Sequence, residues 1–404
     1  MPSVADSTRP RTAPDSEVTR RILPAVAYTS IAYLSIGAPL AFLPSYLHLH
    51  LGLSTVIAGL IVSAQYIATF ASRTLAGHLS DTAGPRKTVR YGMALGAGSG
   101  LFLMLAELFR HQMWLGMVFL VLSRFALGAG ESLSSTGAIM WGIGRVGSEH
   151  TAKVISWNGV ATYTALAAGA PLGTLLGERW GVLAIGLMIF AVCAAGLAAS
   201  TKMAATAIQK GKRVPIGQIL LKVTPYGMGL ALGGMGFGVI ATFISLYFAQ
   251  YGWAGAPLCL TIYGVSFVGI RLIFSGVIER FGGFRVAMIS LIVEMAGLLL
   301  LGLSHVHVLA YVAAAVTGIG FSLVFPSLGV EAAKAFPASV RGSVLGVYSA
   351  FVDLSLFLVG PLAGMVIRSH GYGEAFVGTA GCVLAALGFV VGLQLTSQGE
   401  TAEA

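Results

Sequence analysis

Six ionisable residues stand inside long apolar stretches of this chain: Arg73, Arg124, Glu131, Arg271, Glu294 and Asp353. A charge at the centre of a bilayer costs about 2.5–3.5 kcal/mol on insertion scales, so such a residue faces a partner, a cavity or a proton path. Arg124 and Glu131 are seven residues apart. That is two helical turns, so they share one face with Gly128. They form either a cavity-lining pair that binds or relays a proton, or a structural charge pair with a neighbouring helix. Glu131 and Asp353, with Arg124 beside them, are the proton-coupling candidates. Tyr33, Asn158, Thr242 and Tyr247 are the polar residues that could line a cavity between helices. The spacings that mark phosphate loops, nucleophile elbows, metal ligands or dinucleotide sites are missing. Catalysis, ATP-driven transport and a cofactor therefore have no support. His48, His50, His305 and His307 fall in two predicted loops, where chance clustering explains them better than a metal site.

The elements that position these residues follow from composition. Apolar residues make up 56% of the 404 and charged residues only 10%, with a mean hydropathy of +0.86. Soluble domains carry about 25% charged residues, so this chain has too few to cover a water-facing surface. A membrane-crossing helix needs about 20 apolar residues. Segments of that length run over roughly 22–47, 55–78, 88–108, 113–136, 154–176 and 181–201, then 223–249, 257–279, 285–303, 309–330, 342–366 and 374–395. The expected organisation is a tail over 1–21, six helices over 22–201, a linker over 202–222, six helices over 223–395 and a tail over 396–404. Residues 1–21 are polar and lack the apolar core of a signal peptide. Cys193, Cys259 and Cys382 lie in apolar segments and read as packing residues.

Charge fixes the expected orientation. Of the basic residues, eighteen fall in the first tail or the even-numbered loops, among them Arg86, Lys87, Arg145, Lys202, Lys222, Arg285 and Lys334. Only Arg110, Arg179 and Arg368 fall in odd-numbered loops. Positive residues stay on the cytoplasmic side, so both termini are expected inside. The same distribution removes nucleic acid as the reason for the +9 net charge.

The two halves echo each other. An offset of 198 residues superposes Arg73 on Arg271, Asp81 on Glu279, Gly84 on Gly282 and Lys87 on Arg285. Pseudo-repeats around a midplane site are the construction of alternating-access transporters.

Gly77, Asp81, Gly84, Arg86 and Lys87 spell G-x-x-x-D-x-x-G-x-R-K between the second and third helices. This resembles the loop signature of the major facilitator superfamily, and the wording of the chain is similar to its poorly characterised YhhS-type bacterial branch. The resemblance implies an all-α integral membrane protein, twelve transmembrane helices in two pseudo-symmetric six-helix bundles, the major facilitator fold. It implies a bacterial inner-membrane transporter, monomeric, working on a small organic molecule and protons, most often by export. Uptake by symport or facilitated diffusion is the alternative, and a non-transporting receptor a more distant one. Asp81, Gly84 and their repeat mates Glu279, Gly282 and Arg285 are implied to latch the bundles when the cavity faces outward. Gly159, Gly169, Pro171 and Gly173 resemble the antiporter signature of the fifth helix; ordinary small-residue packing is the plainer reading. In this architecture the ninth helix is peripheral, which assigns Glu294 a structural role. The eleventh packs on the second, where Arg73 lies about 12 Å and Asp353 about 16 Å from the same end at 1.5 Å per residue. Arg73 and Asp353 are therefore expected to pair. Near the depth of Arg271 the fifth helix offers only Tyr163 and Thr164, leaving Arg271 to face substrate, another helix or water.

Overall fold

The computed structural model describes residues 15–147, 150–206, 216–274, 277–336 and 341–403. Residues 1–14, most of the central linker with Lys210, Lys212 and Arg213, and Gly276 lie outside the described residues. All regular elements described are helices: α1 (Asp15–Ser45), which ends in a π-helical turn over Tyr46–His50, α2 (Thr55–Thr82), α3 (Pro85–Leu108), α4 (Met113–Val146), α5 (Thr151–Ser200), α6 (Ile216–Gln250), α7 (Ala256–Ile273), α8 (Val277–Phe281), α9 (Gly283–Leu303), α10 (His307–Lys334), α11 (Arg341–His370) and α12 (Tyr372–Glu403).

Eleven of these are long and apolar enough to cross a membrane. One of them accounts for two crossings. α5 has 50 residues, about 75 Å at 1.5 Å per residue, against a hydrocarbon core of about 30 Å. It breaks at Gly181, whose φ of 74° and ψ of −171° suit a residue without Cβ. The limb before the break packs on α1 through Gly169 and Gly37, and the limb after it packs on α3 through Gly186 and Gly100. The described residues thus make twelve crossings, as the apolar segments indicate. The helices outrun those segments: α1 starts at Asp15 and α12 continues to Glu403. Hydropathy registers only the stretch facing lipid, whereas the backbone ladder continues until a breaker or an unfavourable charge stops it. At the start of α1 a Glu17–Arg21 pair at 2.6 Å supports the extra turns.

The repeat is present in the backbone. Gly84 caps α3 with φ 91° and ψ 151°, and Gly282 caps α9 with φ 84° and ψ 150°. Only glycine adopts these angles without strain. α1 to α5 pack among themselves, and α6 to α12 do likewise; the two groups meet through α2 on α11, α5 on α7 and α1 on α6.

Call the end that carries the α2–α3 turn the basic end. The bundles are sewn together at the other, far end. There Thr55 donates to the Gly364 carbonyl at 3.1 Å, Thr261 to that of Ala167 at 2.9 Å and Ser245 to that of Ala41 at 2.8 Å. α2 and α11 cross at Gly59 and Gly360, where a Cβ on Gly59 would meet the Gly360 carbonyl carbon at 2.8 Å. Toward the basic end, Gly77 on α2 and Gly346 on α11 face open space. Hydrogen bonds thus join the bundles at the far end, and among the described residues none joins them at the α2–α3 turn.

Candidate functional site

Where α2 faces α11, one guanidinium answers two carboxylates. Arg73 donates from Nε to Asp353 Oδ2 at 2.6 Å and from Nη2 to Oδ1 at 3.0 Å. This two-point contact is the strong geometry for an arginine–carboxylate pair. The same Nη2 lies 4.0 Å from Glu131 Oε1, which accepts from the Tyr33 hydroxyl at 2.9 Å. Four helices build the cluster: α1 supplies Tyr33, α2 Arg73, α4 Glu131 and α11 Asp353. Asp353 is the only member from the second bundle. The carboxylate side chains are 3% and 6% exposed and Arg73 is 21% exposed, so water reaches the cation more easily than the acids. One positive charge faces two acids, and the cluster is neutral only when one acid holds a proton.

Arg124 does not join this cluster. It shares a face of α4 with Glu131, but two turns separate them by about 10 Å along the axis. Its Nη1 donates to Gln65 of α2 at 3.4 Å and its Nη2 to Ser123 at 3.2 Å, while its Nε has no partner. Arg124 and Glu131 therefore do not line one site together, which corrects the proton-relaying reading of the two: Arg124 is a buried cation bonded to α2 inside the first bundle, and Glu131 alone joins the cluster. Gln65 escaped the sequence reading because only charges were weighed at mid-span. A polar amide within an apolar helix was the available signal.

Two cavity candidates are corrected too. Tyr247 donates to the carbonyls of Leu301 at 3.2 Å and Ser304 at 2.8 Å, so it ties α6 to the end of α9 in an aromatic cluster with Trp253 and Phe376. Asn158 accepts from Thr29 at 2.6 Å, a contact between α5 and α1 within one bundle rather than across the interface. Thr242 is buried in α6. Glu294 is fully enclosed in the second bundle beside Gly233 and Gly236, and neither of its oxygens has a partner.

Among the described residues the signature loop makes no hydrogen bond or ion pair with the second bundle. Arg86 donates to the carbonyls of Ser200 and Thr201, at the end of α5 in its own bundle. Lys87 and Glu279 are exposed, and Asp81 and Gly282 partly so. The latch implied for this loop is therefore not formed among the described residues. The glycines of the fifth crossing have specific neighbours. Gly169 and Gly173 lie against the α1 backbone at Gly37 and Ala38, while Gly159 lies against the Arg271 guanidinium. Pro171 lies inside α5, whose non-helical residue is Gly181 rather than a neighbour of the proline. Arg271 itself donates to the Ser322 carbonyl at 3.0 Å and lies over the Phe267 ring at 4.9 Å. The histidines are spoken for separately: His305 bonds Tyr251 at 2.9 Å and His307 bonds Tyr311 at 3.0 Å. Among the described residues no group of three or more His, Cys, Asp or Glu could hold a metal.

Two bundles of apolar helices around a buried charge cluster are the architecture of a secondary transporter. The family profile described as Major Facilitator Superfamily matches residues 26–360 and 227–402. An uncharacterised MFS-type transporter of Burkholderia pseudomallei (strain 1106a) is 48% identical over 359 residues, 89% of this chain and 88% of the relative. Another, from Pseudomonas aeruginosa (strain LESB58), is 48% identical over 397 residues, 98% of this chain and 97% of the relative. The chain belongs to the major facilitator superfamily, an integral membrane transporter and not an enzyme. Among solved structures it is similar in fold to a mutant of the nucleoside transporter NupG, at 15% identity, TM-score 0.74, covering 92% of this chain and 99% of that one. The inward-open xylose transporter XylE from E. coli gives 16% identity and TM-score 0.73, covering 92% of this chain and 95% of that one.

Proposed function

We propose that the protein exports a small organic molecule in exchange for protons, with Glu131 carrying the proton. The observation behind this is the single Arg73 guanidinium shared by a carboxylate of its own bundle and one of the other. Asp353 holds both direct hydrogen bonds, so the tie between bundles is made while Glu131 leaves Arg73 to it. Glu131 losing its proton becomes a competitor within the first bundle and draws Arg73 away from α11. Proton release on one side of the membrane thereby loosens the interface and lets the bundles rock. The proton enters again when the cluster faces the other side.

The test needs no substrate. Spin labels at Thr82→Cys on α2 and Gly346→Cys on α11, with Cys193, Cys259 and Cys382 replaced by alanine, report the opening of the basic end. Raising the pH is expected to shift the wild-type population toward the shorter distance. Glu131→Gln should hold the longer distance at every pH. A Glu131→Gln protein that follows pH as the wild type does would remove Glu131 as the carrier.

The basic end is placed in the cytoplasm by the positive-inside rule, and Gram-negative relatives support an inner-membrane location. A periplasm-only reporter is expected to be silent at Gly217 and active at Gly252, and activity at Gly217 would invert the topology. In this orientation everted vesicles load substrate when their lumen is acidified.

A further inference from the structure

Arg271 has the same place in the second half that Arg73 has in the first, yet its charge is unanswered. Its described contacts are a neutral carbonyl, that of Ser322 at 3.0 Å, and the face of Phe267. Its Nε is enclosed and has no partner. No carboxylate lies in ion-pair contact with it among the described residues. Guanidinium does not give up its proton in proteins, so this charge stands at the bundle interface in every state. Opposite it α5 presents Gly159, and a Cβ there would run into Nη1. The space kept by this glycine is the space the guanidinium occupies.

The surroundings are aromatic. Tyr163 of α5 stacks on Phe267 with ring centroids 3.5 Å apart, and Phe237 of α6 meets Tyr163 edge-on at 6.1 Å. Beyond Tyr163, toward the far end, lies a small cavity lined by Tyr163, Phe237, Leu260, Tyr263 and Gly264. The Tyr263 hydroxyl is buried without a hydrogen-bond partner. A free cation, an apolar slot and an unpartnered hydroxyl therefore run in sequence across the interface of α5, α6 and α7.

We infer that this is the substrate-binding site, and that it takes organic monocarboxylates with a flat, apolar body. A carboxylate gives Arg271 the paired acceptor that Asp353 gives Arg73. In this state Tyr163 lies on Phe267 and meets Phe237 edge-on at 6.1 Å, so a ring enters only as these side chains part, and a polar group at its far side then reaches Tyr263. Of the buried acids, Glu131 and Asp353 are engaged with Arg73, and Glu294, though unpartnered, is fully enclosed inside the second bundle beside Gly233 and Gly236. The inference rests on the transport reading above and specifies its substrate.

The test uses the purified full-length protein in detergent, with thermal unfolding as the readout. The probes are benzoate, phenylacetate and indole-3-acetate, each set against its neutral amide. The acids are expected to raise Tm saturably and the amides to leave it unchanged. Losing a charge-assisted contact weakens binding about tenfold or more, so Arg271→Gln should show that loss and Arg271→Lys keep part of the affinity. Gly159→Ala keeps the charge and displaces only the flexible end of the arginine, so it should fold normally and still bind the acids more weakly. Equal stabilisation by acids and amides, no stabilisation by any acid, or wild-type acid affinity in Arg271→Gln would each overturn the site. Wild-type protein that ignores the acids while its α2–α11 label pair still answers pH would sink the anion site and leave the proton coupling standing.

Discussion

Arg73→Ala is expected to be the most damaging single substitution in the charge cluster, and Asp353→Ala clearly less so. Removing one partner of a buried ion pair typically costs about 3–5 kcal/mol, because the other charge is left stranded. Arg73→Ala strands two carboxylates at once, Asp353 and Glu131. Asp353→Ala leaves Arg73 with Glu131 already 4.0 Å away, close enough to take over with a small side-chain movement. The double variant leaves only Glu131, hydrogen-bonded to Tyr33 and able to hold a proton, so it should regain part of what Arg73→Ala loses. Thermal unfolding of the purified variants measures this, and a coupling energy within experimental error of zero would show that the charges act independently. Counterflow of a labelled substrate adds a functional readout. Asp353→Ala should make exchange insensitive to pH even where its stability is near normal, since the tie whose release Glu131 governs is gone.

The Arg73–Asp353 pair was legible because depth along a helix follows from counting residues, and the resemblance supplied which helices touch. Glu131 was legible as an acid in need of company, but its company was not. Its partners lie on α1 and α2, and nothing in one sequence gives the rotation of three helices about their axes. The same ignorance misassigned Tyr247, whose ring turned out to face α9 and α12. Arg124 shows a different limit: the shared helix face was right, since both it and Glu131 reach α2, but a face does not say that the neighbour of Arg124 is Gln65 and that of Glu131 is Arg73. The turn at Gly84 was readable from Gly-Pro chemistry and repeats at Gly282, whereas the latch that the resemblance implies around it is not formed among the described residues. Gly159 was read as part of a motif, and its reason appeared only with Arg271 beside it. The twelve crossings needed nothing beyond apolar length, since hydrocarbon thickness sets that quantity directly.

Gly59→Leu is expected to hold the far end apart and trap the opposite conformation from the one described. α2 and α11 touch there with backbone on backbone: a Cβ on Gly59 would meet the Gly360 carbonyl oxygen at 2.5 Å and the Phe243 ring at 3.2 Å. Gly360 has the reciprocal position, its own missing side chain leaving room for Ser63 and the Gly59 carbonyl. A main-chain obstacle cannot swing aside as a side chain would, so a leucine must push the helices apart. Overpacking of this kind costs about 1–3 kcal/mol in a well-packed interior. The cost falls only on the state in which this end is closed. A difference of that size displaces a two-state equilibrium about 5- to 150-fold, enough to reverse the dominant state. Because the bundles rock as bodies, opening the far end should close the basic end and bring the signature loop toward α11. The label pair at Thr82 and Gly346 should then report the shorter distance regardless of pH, and counterflow should fall with the trapped state. Glu131→Gln combined with Gly59→Leu separates cause from consequence: the wedge acts directly on packing, so the double variant should keep the short distance. A long distance in the Gly59→Leu protein, with transport intact, would mean that this crossing is not the seal.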